Sequence, residues 1–193
     1  MAENSFQLEE LQGVRILRLQ STDGTNRLTL ACVLALTHAI RKLADQNNPL
    51  IIAGNDKFFS AGAELEEIAA LDGPAAYEFS KKGQALMEAV ERFPAPVYAA
   101  ISGYCMGGGL DLALACRHRI AAPHAIFGHR GAALGLITGW GGTQRLPQLI
   151  GKPHALELFV AAEKVHAARA FQIGLVDAIA SDPIAEAILR SKR

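Results

Sequence analysis

The chain has 193 residues, a mass of 20.5 kDa and a formal net charge of zero, because 19 basic side chains balance 19 acidic ones. Half of its residues are apolar, so we expect one domain with a well-buried core rather than two domains. The neutral balance predicts no basic surface for nucleic acid or an anionic membrane. It favours an enzyme or a binding domain for small molecules.

The cysteines and the N-terminal residues are typical of a protein in the reducing environment of the cytoplasm. Cys32, Cys105 and Cys116 have no pairing or metal-binding spacing, and two of them lie in apolar runs, as reduced buried thiols do. The first residues lack a basic segment followed by an apolar core, and no apolar run approaches the roughly 20 residues of a membrane span. We therefore expect a cytoplasmic protein that makes no membrane contact.

Apolar periodicity predicts strands and helices that alternate along the chain. The first half is expected to hold a strand at 14–19, a helix at 28–43, a strand at 50–54, helices at 64–71 and 75–93, and a strand at 97–101. The second half is expected to hold a helix after glycines 107–109, strands at 119–122 and 125–128, a helix after glycines 141–142, helices at 154–160 and 167–173, and an extended segment at 175–179. The alternation predicts an α/β domain with mainly parallel connections.

Two glycine-containing loops each follow a predicted strand and each lead into a predicted helix. They are SAGAE at 60–64 and MGGGL at 106–110. Glycine lets a ligand approach the backbone closely, and the first amides of a helix have no intrahelical partner, so each loop could bind an anion or an oxyanion. If the loops were neighbours, their amides could hold one oxygen from two sides. Spacing alone does not bring them together, and two ordinary tight turns are the alternative.

Asp111 lies in the first turn of the helix that follows the second loop. A carboxylate at this place can act as an acid or a base on a ligand held by the loop. It also stabilises the helix N-terminus by about 0.3–1 kcal/mol without any ligand. The sequence is compatible with both interpretations.

Several spaced motifs resemble the enoyl-CoA hydratase/isomerase, or crotonase, superfamily. The most specific are FSAGAEL at 59–65 and ISGYCMGGGLDLA at 101–113. Asn26 and Leu28 match the entry to the family's first helix, and FG at 127–128, GL at 135–136, GWGGTQRLP at 139–147 and GLV at 174–176 follow in the family's order. The resemblance covers residues 14 to 179, which is nearly the whole chain.

This resemblance implies a crotonase-like spiral of ββα units. It implies a single domain over 1–193, with a core at about 14–179 and a shortened C-terminal helical region. Relatives of this kind assemble as trimers or dimers of trimers, so a homo-oligomer is expected. No separate cofactor is implied, because coenzyme A is part of the substrate. No metal is implied either, because no histidine and cysteine cluster has ligand spacing.

The resemblance also implies an acyl-CoA substrate and an oxyanion hole that stabilises a thioester enolate. By position, the amides would belong to Ala63 and Gly108, and Asp111 stands where hydratases of the family carry their first catalytic carboxylate. The stretch that contains Ala61, Gly62 and Leu65 would also contact coenzyme A. Lys57 could add a further contact, although a lone loop lysine is more often solvated.

Two departures from the family pattern bear on the reaction. Gly131 stands where hydratases carry a second carboxylate, and Asp111 is one methylene shorter than the usual glutamate. Hydration needs a water held as nucleophile and a proton delivered to carbon, work commonly shared by two carboxylates. We therefore expect isomerase-like or other non-standard chemistry rather than efficient hydration.

Four residues are candidates for the acyl pocket: His129, Arg130, Gly131 and Trp140. His129 could act as an acid or base, or could be a hydrogen-bonded loop residue. Arg130 could contact a carboxylate on the acyl group. Trp140 is expected to pack in the core or against the acyl pocket.

Two other functions fit parts of the sequence. The chain could be a non-catalytic acyl-CoA-binding or assembly protein that kept the fold, since Gly131 replaces a carboxylate. It could also be a cysteine hydrolase, because Gly103, Cys105 and Gly107 form a Gly-x-Cys-x-Gly pattern between a strand and a helix. That fold requires a later acid followed by a histidine, and no histidine follows Asp177.

Overall fold

The computed structural model describes residues 5–46 and 48–192. The strands in this part of the chain are β1 Phe6–Leu11, β2 Val14–Leu19, β3 Arg27–Leu28, β4 Leu50–Ala53, β5 Phe58–Ser60, β6 Gly62–Ala63, β7 Val97–Ile101, β8 Tyr104–Met106, β9 His118–Ala121, β10 Ile126–Gly128, β11 Val165–His166 and β12 Ala178–Ile179. The α-helices are α1 Leu30–Leu43, α2 Leu65–Ala69, α3 Gly73–Glu91, α4 Gly108–Ala115, α5 Gly142–Ile150, α6 Lys152–Val160, α7 Ala167–Gln172 and α8 Pro183–Ser191. Short 3-10 turns lie at Ala44–Gln46 and Gly131–Leu134.

The strands form three sheets, and the chain alternates between the two larger ones. The six-stranded sheet has the order β1-β2-β4-β7-β9-β12, and the four-stranded sheet has the order β11-β10-β8-β5. Successive strand pairs β4 and β5, β7 and β8, and β9 and β10 each place one strand in each sheet before the chain continues into helices. This repetition is the ββα spiral, so the predicted fold class is confirmed.

Parallel pairing runs through most of the large sheet and explains its apolar strands. β2, β4, β7, β9 and β12 pair in parallel, and every residue of β4 and β7 is buried. A parallel sheet covered on both faces needs such continuous apolar runs. Leu50 and Ile52 belong to the main core, whereas Ile51 and Ala53 belong to a second cluster that includes Ile188 of α8.

The N-terminal hairpin was not predicted from the sequence. β1 pairs antiparallel with β2, and Leu11 faces Val14 across the turn at Gln12 and Gly13. Both turn residues have positive φ, 53° and 79°, as a two-residue type I′ turn requires. The strand escaped prediction because β1 is an edge strand with largely exposed residues, which weakens its apolar pattern.

Capping side chains set the helix boundaries. Thr29 Oγ1 accepts a hydrogen bond from the Cys32 amide at 3.1 Å, so α1 begins at Leu30, two residues after the predicted start. Asp72 Oδ1 accepts from the Ala75 amide at 2.8 Å, so α3 begins at Gly73, two residues before the predicted start.

The Trp140 side chain packs between α3 and the start of α4. The indole is 4% exposed, and its centroid lies 5.4 Å from that of Phe79 in a tilted arrangement. A β-carbon built on Gly83 would stand 2.1 Å from the indole Nε1, and one built on Gly108 would stand 2.5 Å from Cζ3. The ring therefore fills the space between two glycines, one on each helix.

The cysteines lie in the core, which bears on the hydrolase alternative. Cys105, in β8, is fully buried, and burial raises the pKa of its thiol well above the ordinary value. The nucleophile of a cysteine enzyme is the thiolate, which needs a lowered pKa. Asp177 Oδ2 accepts hydrogen bonds from the Arg119 amide and guanidinium at 2.7 Å and 3.3 Å. These contacts argue against Cys105 as a nucleophile with Asp177 as its acid.

Gly83→Ala is expected to destabilise the protein. The added methyl would overlap the buried Trp140 ring, and overpacking a core costs about 1–3 kcal/mol, which exceeds the gain of up to about 1 kcal/mol from helix propensity. Gly73→Ala is the matched control, since a β-carbon there meets no atom within 4 Å. Urea denaturation measures the free energy of unfolding of both variants and of the parent. Equal stability of Gly83→Ala and Gly73→Ala would contradict the packing described for Trp140.

The thiols are expected to resist alkylation in the folded protein. Cys32, Cys105 and Cys116 are all buried, and burial raises the pKa of Cys32 to about 11 and that of Cys116 to about 12. At pH 8 these groups stay neutral, and a neutral thiol reacts poorly with iodoacetamide. Mass spectrometry should find three modifications only after denaturation. Rapid modification of Cys105 in the native protein would support a cysteine hydrolase with Cys105 as its nucleophile.

Candidate active site

A cavity of about 580 Å³ lies between α2, α3, the start of α4 and the segment 129–140. Most of its wall is apolar and includes the side chains of Leu65, Ile68, Leu71, Phe79, Leu134 and Trp140. Its polar side chains are those of Ser80, Asp111, His129, Arg130 and Thr138. Such a cavity, apolar with a few converging polar groups, is a typical small-molecule site.

The two glycine-containing loops are in direct backbone contact at this cavity. A β-carbon built on Gly62 would lie 2.7 Å from the Met106 carbonyl oxygen and 3.2 Å from the Gly108 nitrogen. One built on Gly108 would lie 3.3 Å from the Ala63 nitrogen. Gly62, Ala63 and Gly108 all line the cavity. The structure thus brings together the two residues whose amides the resemblance singled out.

Pairing between β5 and β8 accounts for this contact. The two strands are parallel, with Phe58 opposite Tyr104 and Ser60 opposite Cys105, so the loops after them leave the sheet side by side. The backbone of Gly107 has φ 50° and ψ −120°, which a side chain disfavours. A β-carbon on Gly109 would stand 2.6 Å from that of Ser60. The glycine run therefore permits both the turn and the close approach.

Asp111 is buried at the base of the cavity and has two side-chain partners. It is 1% exposed and lies in the first turn of α4. Its Oδ1 is 3.0 Å from His129 Nε2, and its Oδ2 accepts a hydrogen bond from the Thr138 hydroxyl. Two fixed partners give this carboxylate a defined orientation.

The N-terminus of a second helix also meets the carboxylate. A β-carbon built on Gly142, the first residue of α5, would lie 2.2 Å from Asp111 Oδ1 and 3.1 Å from His129 Nε2. The positive ends of α4 and α5 thus both adjoin Asp111, and helix N-termini favour negative charge. Only glycine at 142 permits this approach.

The predicted acyl-pocket residues occupy different positions around the cavity. His129 is 4% exposed, and its ring centroid lies 5.2 Å from that of Phe159. Arg130 is exposed and lines the cavity next to His129. Trp140 contributes a wall and also packs against Gly108.

Gly131 leaves no room for a side chain in the present loop conformation. A β-carbon there would stand 2.7 Å from the Leu136 carbonyl oxygen, and the Leu136 amide donates to the Gly131 carbonyl at 2.8 Å. Within residues 5–46 and 48–192, Asp111 is therefore the one carboxylate that lines the cavity.

The residues expected to contact coenzyme A divide into two groups. Ala61, Gly62 and Leu65 line the cavity beside Ala63. Lys57 has an exposed side chain outside the cavity lining, and its carbonyl accepts from the Tyr104 amide at 2.8 Å. The structure thus does not bring Lys57 to the cavity wall.

Thr138 and Phe79 were missed by sequence reasoning. Thr138 lies 27 residues from Asp111 in a loop, so neither helical nor strand periodicity connects them. Phe79 belongs to the apolar face of α3, where core and cavity residues have the same pattern. The one sequence signal for Thr138 was its position directly before the GWGG motif, which begins at Gly139.

The described residues contain no group of three or more histidine, cysteine, aspartate or glutamate side chains arranged to hold a metal ion. In the same part of the chain, no helix has the length and apolar character needed to cross a membrane.

Curated relatives match most of the chain but not their own full length. A probable enoyl-CoA hydratase from Bacillus subtilis (strain 168) is 45% identical over 144 residues, covering 74% of this chain and 55% of that protein. A crotonyl-CoA hydratase from Syntrophomonas wolfei is 37% identical over 182 residues, covering 93% of this chain and 70% of that protein. The chain thus spans little more than half of the first relative.

Solved structures of similar proteins share the fold. An enoyl-CoA hydratase from Bacillus anthracis superimposes with a TM-score of 0.92 at 33% identity, covering 97% of this chain and 75% of that one. DspI from Pseudomonas aeruginosa gives a TM-score of 0.92 at 33% identity, covering 98% and 74%. The profile of the enoyl-CoA hydratase/isomerase family matches residues 9–191. With the spiral fold and the paired glycine loops, this match shows that the chain belongs to the enoyl-CoA hydratase/isomerase family.

Proposed function

We propose that the protein binds an enoyl-CoA thioester in the cavity and moves a proton along its acyl chain through an enolate. This proposal is supported by the contact between the Ala63 and Gly108 backbones beside Asp111, the one buried carboxylate among residues 5–46 and 48–192. An isomerase-like reaction is favoured over hydration, because proton transfer along the chain requires only one carboxylate.

The amides of Ala63 and Gly108 would stabilise the enolate. Gly108 is the first residue of α4, so its N–H has no intrahelical partner. When a proton leaves the carbon next to the thioester carbonyl, negative charge develops on the carbonyl oxygen. Loss of one donor to such an oxygen typically costs about 3–4 kcal/mol of barrier. Two amides in adjacent loops can supply two such donors.

Asp111 would transfer the proton. In a 3-enoyl thioester the C2–H bond breaks, the proton goes to an Asp111 oxygen, and the electron pair moves to the thioester oxygen as a dienolate. The charge then returns towards C4, which takes the proton back from Asp111, giving the 2-enoyl thioester. One carboxylate suffices for both transfers, and one carboxylate is present in the described cavity wall.

Hydration makes a further demand on the site. The nucleophilic water must be held and deprotonated, which enzymes commonly achieve with a second carboxylate. Position 131 has no side chain and no space for one. The names of the two curated relatives are nevertheless those of hydratases, so hydration is the reaction to compare.

The apolar wall supports an unsubstituted hydrocarbon chain as the acyl group. Ile68, Leu71 and Phe79 line the side of the cavity formed by α2, α3 and the segment between them. Coenzyme A belongs to the substrate in this proposal, and the backbone at Ala61 and Gly62 would contact it. A homo-oligomer and a cytoplasmic location stay predictions.

A non-catalytic acyl-CoA-binding protein is the second candidate. It is favoured by the hydrogen bonding of Asp111, both of whose oxygens already have a protein partner. Calorimetric titration with acetyl-CoA tests the binding that both candidates require. Undetectable binding at millimolar ligand would contradict both.

Asp111→Asn is expected to lower turnover of a 3-enoyl-CoA by at least about 10²-fold, because an amide cannot take up the proton. The rise in ultraviolet absorbance of the conjugated 2-enoyl product measures the rate. Asp56→Asn is the control, since Asp56 is exposed and outside the cavity. Background rates in parent and Asp111→Asn alike, with acetyl-CoA still bound, would favour the non-catalytic protein.

The ratio of two activities tests the preference for isomerisation. We expect kcat/KM for converting a 3-enoyl-CoA into the 2-enoyl-CoA to exceed that for hydrating crotonyl-CoA, since Asp111 acts without a second carboxylate. Both reactions are followed on one enzyme preparation by the appearance or loss of the conjugated thioester. Faster hydration would show that water is activated without a carboxylate at position 131.

A further inference from the structure

We infer that His129 is a positioning residue for Asp111 and holds this carboxylate, the one in the described cavity wall, in the orientation needed for proton transfer. This inference rests on the proposed function, in which Asp111 carries the proton. It concerns a contact between two residues that no sequence motif connects.

The ends of two paired strands bring the residues together. Gly128, the last residue of β10, pairs with Met106, the last residue of β8, in a parallel register. His129 comes directly after the first of these strands, and the loop leading to Asp111 comes after the second. Because the strands are parallel, both segments leave the sheet at the same edge, and His129 Nε2 reaches Asp111 Oδ1 at 3.0 Å.

The histidine ring is fixed on more than one side. Its centroid lies 5.2 Å from that of Phe159 in α6, at an interplanar angle of 49°. The backbone of Gly142 lies against the contact between Nε2 and Oδ1. With 4% of its surface exposed, His129 has little room to rotate away. A fixed ring can hold a carboxylate fixed.

The hydrogen bonds of Asp111 leave it free to react. An ionised carboxylate only accepts hydrogen bonds, at about four lone-pair sites. The inferred role therefore requires that Nε2 of His129 carries the proton of this hydrogen bond. His129 uses one site on Oδ1, and Thr138 uses one on Oδ2. Acceptor sites remain on the carboxylate, which lines the cavity.

Orientation matters because proton transfer tolerates little displacement. A general base must lie about 2.6–3.2 Å from the proton's carrier atom, and a misplacement of about 1 Å can cost about 10²-fold in rate. Aspartate has two side-chain torsions, and removal of one partner would let the carboxylate rotate. The charged and titratable side chains that line the cavity in the described chain are Asp111, His129 and the exposed Arg130.

Steady-state kinetics of a 3-enoyl-CoA with two variants test the role. His129→Phe keeps an aromatic ring beside Phe159 but removes the donor, and we expect kcat to fall about 10- to 100-fold with KM within about threefold. His129→Gln places an amide N–H near the former Nε2, and we expect it to restore kcat to within about threefold of the parent. His124→Phe is the control, since His124 is an exposed histidine that bonds the Asp56 carbonyl at 3.1 Å.

A double-mutant cycle separates positioning from folding. In the Asp111→Asn background, His129→Phe should cause no further loss of kcat, because the group that it positions is gone. An equal loss in both backgrounds, or equal losses in His129→Phe and His129→Gln with parallel falls in Tm, would overturn the inference.

A spectroscopic measurement does not depend on folded variants of His129. In NMR spectra of protein labelled with ¹⁵N-histidine, the ring nitrogen chemical shifts of His129 should be those of a form protonated at Nε2. The chemical shift of Nε2 should change in Asp111→Asn. A neutral ring protonated only at Nδ1 would overturn the inference. Turnover that needs Asp111 but not His129 contradicts this inference alone, whereas absence of turnover in the parent contradicts the proposed function and this role with it.

Discussion

The approach of two backbones, at Gly62 and Gly108, is the contact on which the rest of the site depends. A β-carbon at either position would meet atoms of the opposite loop at 3.3 Å or less. The contact is prepared by Asn26, whose φ is 53° and whose Nδ2 donates to the carbonyls of Phe58 and Phe59 at 2.9 Å and 3.2 Å. Ser60 Oγ in turn donates to the Asn26 carbonyl at 2.7 Å.

Packing behind the glycines keeps the two loops in register. Trp140 presses against Gly108 from the side of α3, where Gly83 makes room for the indole. Because protein interiors are close-packed, a shift of the Trp140 ring would displace the amide of Gly108. The same segment that contains Trp140 also supplies Thr138 to Asp111, so one loop supports both the backbone amides and the carboxylate.

Sequence reasoning was most successful where the local backbone geometry favours one residue type. The glycines at 107–109 are such a case, because the backbone geometry of the turn favours glycine. The same reasoning misplaced the starts of α1 and α3 by two residues each, because it did not identify Thr29 and Asp72 as the caps of these helices. It failed for β1, whose residues are largely exposed. It also left open the contact between Asp111 and His129, because strand pairing rather than local pattern creates it.

In the proposed reaction, the amides of Ala63 and Gly108 polarise the thioester carbonyl before any proton moves. Difference infrared spectroscopy of acyl-CoA labelled with ¹³C at the carbonyl measures this directly, since hydrogen bonds to the oxygen weaken the C=O bond. We predict that the carbonyl stretch moves to lower frequency on binding, and that it does so equally in the parent and in Asp111→Asn. A ligand that binds without any change in this frequency would contradict the polarisation of its carbonyl by these amides.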